Sequence, residues 1–125
     1  MNVSGPIIAL IAANATANNL LGGRVYPDVL KQSTAYPAAA INIRDTDPAN
    51  TKTGPSDIDR VLVQIDVYAT TPTDANNASE AIREALDYQT SGDIAGIFFQ
   101  RWLGGFSEKP ELIRRISEYS IMLRR

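Results

Sequence analysis

The chain has 125 residues, the length of one domain, so we treat residues 1–125 as a single unit. It carries a formal charge of −2 and contains neither cysteine nor histidine. The missing cysteine excludes disulfides, thiolate nucleophiles and cysteine-bound zinc, and the missing histidine removes the commonest general base and transition-metal ligand. The acidic balance also disfavours a dedicated nucleic-acid-binding surface.

The first predicted element is a helix over about residues 5–17. Ser4 is a suitable N-cap, and Pro6 falls in the first turn, where its missing N–H costs little. The apolar run in this helix is too short to span a bilayer and has no basic segment before it. We therefore expect no membrane association, and synthesis in the cytoplasm. Residues 24–27 follow as a short extended piece closed by proline.

Two strands follow, over residues 38–45 and about 58–70, and a polar loop from Asp47 to Asp57 joins them. Because no crossover helix lies between them, the two strands should pair antiparallel. The second strand alternates strictly, which predicts two different faces. Its apolar face comprises Val61, Val63, Ile65, Val67 and Ala69. Its opposite face comprises Arg60, Leu62, Gln64, Asp66 and Tyr68.

A second helix and two more strands complete the pattern. Thr71 and Pro72 begin a helix with a small apolar stripe that runs to about residue 88. The strand region 94–106 is apolar on both faces, and residues 114–123 form the last strand. In the first of these, Ile97, Phe99 and Leu103 alternate with Phe98 and Trp102. The order α-β-β-α-β-β predicts an α+β fold, with an antiparallel β-sheet and two helices packed on one side.

The sequence offers little for catalysis or metal binding. Four aspartates bracket the long loop, but their spacing lacks the glycine and distal glutamate of a calcium loop: Asp45, Asp47, Asp57 and Asp59. Asp66 and Tyr68 share a strand face, yet no oriented third group or oxyanion site accompanies them. Glutamates interrupt the arginines near the C-terminus, which weakens any attraction to phosphates. We therefore expect no enzyme activity, no cofactor and no metal site.

Subunit contact is the favoured role for the remaining conspicuous side chains. Aromatic residues on strands lie more often in cores or interfaces than in ligand sites. A strand that is apolar on both faces suggests that another subunit covers one of them. The predicted interface residues are Asp47, Lys52, Asp57, Arg60, Asp66, Tyr68, Phe98 and Trp102.

Several short motifs occur in an order that resembles the tail completion, or tail terminator, proteins of long-tailed, siphophage-type bacteriophages. They are Arg24-Val-Tyr-Pro27, Tyr36-Pro-Ala-Ala-Ala-Ile-Asn-Ile43, Gly54-Pro-Ser56, Val61-Leu-Val-Gln-Ile-Asp-Val-Tyr68 and the helix Ala75-Asn-Asn-Ala-Ser-Glu-Ala-Ile-Arg-Glu-Ala-Leu86. The resemblance covers roughly residues 5–88, and the last third matches only in element type.

The resemblance implies a structural protein of the virion, located in the neck region of the tail. Such a protein would form a six-fold ring at the head-proximal end of the tail tube, stop tube polymerisation and join the tail to the head connector. Its partners would be further copies of itself, the tail tube protein and a head-closure or connector protein. DNA would cross the lumen without specific binding. We expect the loop 46–58 to reach an adjacent subunit or the tube ring below.

Three alternatives remain open from the sequence. The first is another neck component, such as a head-closure or adaptor ring, which the sequence barely separates from a terminator. The second is a small ligand-binding domain, which would require a pocket with converging ionisable groups. The third is a general domain with an unknown partner.

Overall fold

The computed structural model describes residues 4–28, 35–48, 58–105 and 111–124. These residues form three helices and five strands. The helices are α1 (Ser4–Ala13), α2 (Ala15–Leu21) and α3 (Pro72–Leu86). The strands are β1 (Val25–Pro27), β2 (Ala38–Pro48), β3 (Ile58–Ala69), β4 (Ile94–Gly105) and β5 (Ile113–Arg124).

The predicted N-terminal helix is two helices, which corrects the span 5–17. Asn14 interrupts it with extended backbone angles, φ −85° and ψ 119°, and its side-chain oxygen accepts a hydrogen bond from the Ala17 amide at 3.0 Å. Asparagine favours the N-cap position over a helix interior because its side chain replaces a missing backbone acceptor. The chain therefore ends one helix and begins another at this residue.

The sheet is mixed rather than purely antiparallel, with strand order β1-β2-β3-β5-β4. The short β1 pairs parallel with β2 from Val25 to Pro27, whereas every other neighbouring pair is antiparallel. The α+β class is confirmed, and so is the antiparallel pairing of the two predicted central strands. The predicted element order and the count of two helices were wrong, because α2 and β1 are separate elements.

One apolar core lies between the three helices and a single face of the sheet. Fully buried side chains from α1, α2, α3, β3 and β5 meet there, among them Ile7, Leu21, Ile82, Ile65 and Tyr119. Burial of each aliphatic side chain stabilises the fold by roughly 1.5–3 kcal/mol. The strict alternation of β3 supplies the centre of this core, as predicted, and its other face points away from the helices.

Helix α3 begins as the sequence predicts. The Thr71 side chain accepts a hydrogen bond from the Asp74 amide at 3.2 Å, and Pro72 occupies the first turn. The small side chains Ala75, Ala78 and Ala81 are buried and allow α3 to lie close to the other elements.

Strand β2 is longer than predicted, because it continues to Pro48 in register with β3. A bulge between Ile43 and Asp45 shifts the register, and Asp47 is the partner of Arg60. The expectation that Asp47 lies in a loop was therefore wrong. Lys52 and Asp57 of the predicted interface set lie outside the described residues.

A second bulge, in β4 between Phe99 and Arg101, reverses the faces of the residues that follow it. Trp102 is level with Ser117 and lies on the helix side of the sheet, whereas Leu103 is level with Ile116 on the other side. The simple alternation had placed these two side chains on the opposite faces. The extra residue of a bulge shifts side-chain parity by one position, which explains the error.

Candidate functional site

The sheet surface that faces away from the helices is the main candidate for a functional surface, and we call it the open face. No described element packs on it. Its side chains on β3 are Arg60, Leu62, Gln64, Asp66 and Tyr68. Those on β4 and β5 are Phe98, Arg101, Leu103, Arg114, Ile116, Glu118, Ser120 and Met122.

A charged pair occupies the centre of the open face. An Arg114 Nη2 donates to Asp66 Oδ2 at 2.7 Å, and Gln64 Nε2 donates to Asp66 Oδ1 at 2.8 Å. The same guanidinium lies 5.9 Å from the centre of the Tyr68 ring. Asp66 is only 4% exposed, although none of the described helices packs on this face. Its neighbours therefore shield the carboxylate and satisfy both of its oxygens.

The electrostatics favour the charged form of the Arg114 guanidinium. Burial by itself lowers the pKa of Arg114, but the hydrogen bond and the negative charge of Asp66 outweigh it and raise the pKa above its usual value. Arginine is effectively always protonated in proteins, so Asp66 always faces a cation. The pair joins β3 to β5 and fixes the side chains at the middle of the open face.

A second ion pair joins β5 to β4 on the same surface. Arg101 Nε lies 3.2 Å from Glu118 Oε1, and the Arg101 side chain is mostly exposed. Exposed pairs of this kind contribute at most about 1 kcal/mol. Both pairs neutralise cations that would otherwise be available to bind phosphates.

On the helix side, a groove of about 330 Å³ lies between α3 and β4. It is lined by Asn76, Ser79, Glu80, Arg83, Phe99 and Trp102. The Arg83 guanidinium lies 4.0 Å from the centre of the Phe99 ring, and that of Arg115 lies 5.5 Å from the Trp102 ring. Ser79 Oγ is buried and has no hydrogen-bond partner among the described residues. Glu80 lies in the same lining, and among the described residues no hydrogen bond joins it to this hydroxyl, so the groove offers a surface for contact.

The structure brings half of the predicted interface set together. Arg60, Asp66, Tyr68 and Phe98 share the open face, whereas Trp102 lies on the helix side. Sequence reasoning missed Arg114 as the partner of Asp66, which lies 48 positions earlier in the chain. The alternation of the last strand was the available signal, because it placed the even-numbered residues of β5 on one face.

The described residues hold no group of three or more acidic side chains arranged for a metal ion. In the same part of the chain, no helix combines the length and apolar character needed to cross a membrane. Two arginines of the open face, Arg101 and Arg114, are held in ion pairs. The fold and these surfaces define a class of α+β domains suited to protein–protein assembly.

Comparison with known proteins identifies the family. The model of the family "Tail completion protein gp17" matches residues 5–124, so the chain belongs to the phage tail completion protein gp17 family. The match extends the sequence resemblance through the last third of the chain. No curated protein sequence matches the chain.

Solved structures from phage-related particles share the fold. A chain from the virion of a native gene transfer agent particle superposes with a TM-score of 0.82 at 21% identity, covering 98% of this chain and 95% of that one. The gp17 protein of bacteriophage SPP1 superposes with a TM-score of 0.57 at 12% identity, covering 97% and 88%. At these identities the comparisons demonstrate a common fold.

Proposed function

We propose that this protein forms a ring at the head-proximal end of a phage-type tail tube, where it stops tube polymerisation and joins the tail to the head connector. The observation that carries the proposal is the family match over residues 5–124. A tail completion protein acts at the stage where a tail becomes ready for the head, and a ring is the simplest body that closes a tube.

The proposed ring is a hexamer built from heterologous contacts, in which each copy uses two different surfaces. The open face supplies one contact surface for neighbouring subunits, the tail tube protein or the connector. Its Tyr68 and Phe98 provide apolar area, and Arg60 and Asp66 provide charge. Trp102 contributes from the helix side. The loop that contains Lys52 and Asp57 is proposed to extend these contacts.

DNA would cross the lumen of such a ring without being held. Two arginines of the open face, Arg101 and Arg114, already contact carboxylates of Glu118 and Asp66. Neutralised cations release few counterions from DNA, so they give little affinity. The net charge of −2 also favours passage over retention. This supports a structural role in the virion neck.

The test is to remove the gene and examine the particles by negative-stain electron microscopy. We expect tail tubes longer than normal and not attached to heads, and plasmid-borne wild-type protein should restore joined tails of normal length. Tails of normal length on intact heads would overturn the proposal. Heads that lose their DNA while tails keep their normal length would assign a head-closure role instead.

A further inference from the structure

Large apolar side chains are exposed at both edges of the sheet. Ile43 on β2 is 42% exposed, and Trp102 and Leu103 on β4 are 45% and 41% exposed. Natural proteins usually protect edge strands with charges, prolines or covering segments, because an apolar open edge pairs with other chains. Trp102 and Leu103 are exposed on opposite faces of the same edge segment of β4. This exposure fits an edge strand that pairs with a strand of a partner.

The outward backbone groups of β4 are hydrogen-bonded to described residues only in the first half of the strand. The Tyr88 amide donates to the Ile97 carbonyl at 2.8 Å, and the Phe99 amide donates to Asp87 Oδ1 at 3.1 Å. Beyond the bulge, residues 101–104 make no hydrogen bond to any described residue outside β5. The register places the Trp102 and Gly104 amides outward, like that of Phe99, so these donors face away from β5.

The opposite edge of the sheet is covered over a short length as well. Strand β1 pairs with β2 only from Ala39 to Ile41, and the Asp28 amide ends this cover by donating to the Ile41 carbonyl at 2.8 Å. Among the described residues, nothing hydrogen-bonds to the outer side of β2 over residues 42–48. Pro48, which has no amide donor, fits an edge position of this kind.

We propose that residues 101–104 of β4 in one copy pair antiparallel with residues 42–48 of β2 in the next copy, which joins the two sheets. This inference rests on the proposed ring, because it names the surfaces that close it. Strands β2 and β4 run in opposite directions within one chain, since three antiparallel pairings separate them. A neighbour in the same orientation therefore presents β2 antiparallel to β4.

Apolar side chains match across this seam. Ile43 and Trp102 both lie on the helix side of their sheets, so pairing covers the two exposed side chains with each other. The contact thus buries apolar area on the helix side of both sheets.

The geometry favours a closed assembly over a two-fold dimer. The seam uses different edges of the two copies, so each copy has one free edge of each kind and can bind a neighbour on both sides. Thr46 is level with Val61 and Trp102 with Ile65, four residues apart along the sheet, or about 13 Å. Pairing these residues shifts each copy along the strand direction by this distance relative to its neighbour. Such a shift tilts the strands relative to the ring axis, as closure of a sheet requires.

The first test compares Gly104→Pro with Gly104→Ala. A Cβ at Gly104 meets no atom within 4 Å, so alanine fits and keeps the amide. Proline removes the outward donor and leaves the hydrogen bonds to β5 in place. We expect both variants to fold by circular dichroism. The proline variant should be at least about tenfold less abundant in purified particles than the alanine variant, because an added strand needs that donor. Equal incorporation of the two variants would overturn the proposal.

The second test uses the absence of cysteine from the chain. In the Arg44→Cys, Leu103→Cys double variant, the two thiols lie on strands three spacings apart, about 14 Å, so a shorter bismaleimide joins only different copies. We expect a ladder of linked copies in purified particles and none from either single variant. Linked dimers from Leu103→Cys alone would show β4 pairing with β4 and overturn the proposal, as would a double variant without a ladder. If the seam fails while tails lacking the protein are still overlong, the proposed function stands without it.

Discussion

The carboxylate of Asp66 is shielded on a surface that no described helix covers, so we expect its substitution to be costly. It accepts hydrogen bonds from Arg114 and Gln64, and Arg114 is itself only partly exposed. We expect Asp66→Ala to lower the free energy of unfolding by about 2 kcal/mol, because it leaves the guanidinium without its anion. Urea denaturation of the purified protein measures this.

The Arg101–Glu118 ion pair on the same face provides the control for Asp66→Ala. Arg101→Ala removes a cation that is mostly solvated, so it should cost less than about 1 kcal/mol. Equal costs for the two substitutions would show that the Asp66 environment is no different from ordinary surface.

Tyr119 gives the fold a dependence on alkaline pH. Burial, helped by the charge of Asp87, raises the pKa of its hydroxyl above the ordinary value of 10.0, while Arg83 acts in the other direction. Above pH 10 the unfolded chain loses this proton and the folded chain keeps it. The contribution of Tyr119 to the free energy of unfolding is therefore fully present below pH 10. Above pH 10 the free energy of unfolding falls by at most about 1.4 kcal/mol per pH unit. We expect Tyr119→Phe to reduce this decline in urea titrations from pH 9 to 11. An unchanged pH profile would contradict the assignment.

At the scale of the element, the start of α3 depends on one hydroxyl. Thr71→Ala removes the acceptor for the Asp74 amide and should destabilise the protein by about 1 kcal/mol. Thr73→Ala makes the same chemical change at an exposed position two residues later, and should stay within about 0.5 kcal/mol of wild type. Thermal unfolding followed by circular dichroism compares them, and an equal shift in Tm would argue against the cap.

Elements with a regular period could be predicted from the sequence, and elements with an interrupted period could not. The alternation of β3 and the capped apolar stripe of α3 gave the centre of the fold, because burial acts on every residue in them. The same reasoning failed in β4 because of its bulge. The one extra residue placed Trp102 and Leu103 on the faces opposite to those that simple alternation predicts. The position of this bulge depends on how β4 pairs with β5, and the sequence of β4 alone does not contain that information.

The break at Asn14 and the length of β2 show two further limits. An asparagine within an apolar run carries the signal for a cap, but the surrounding helix propensity concealed it. The extension of β2 to Pro48 comes from pairing with Asp59–Val61, so polar residues that favour a turn became strand. The candidate surface followed the same rule: its β3 side chains were predicted, whereas Arg114 required knowledge of the β3–β5 register.

At the scale of the whole molecule, the two sides of the sheet have different tasks. The helix side holds a continuous apolar core, which stabilises a chain that has no cysteine to form disulfides. The open face and the two sheet edges hold paired charges and exposed apolar side chains, which are suited to contact with other proteins. Membership of the tail completion protein family gives these surfaces a context, the assembly of a phage tail.

Cryo-electron microscopy of intact particles tests the central claim most directly, because it locates the protein and counts its copies. We predict density for this fold as one closed ring between the tail tube and the head connector, with neighbouring copies related by six-fold rotation. The same fold repeated along the length of the tube, or absent from mature particles, would contradict the account.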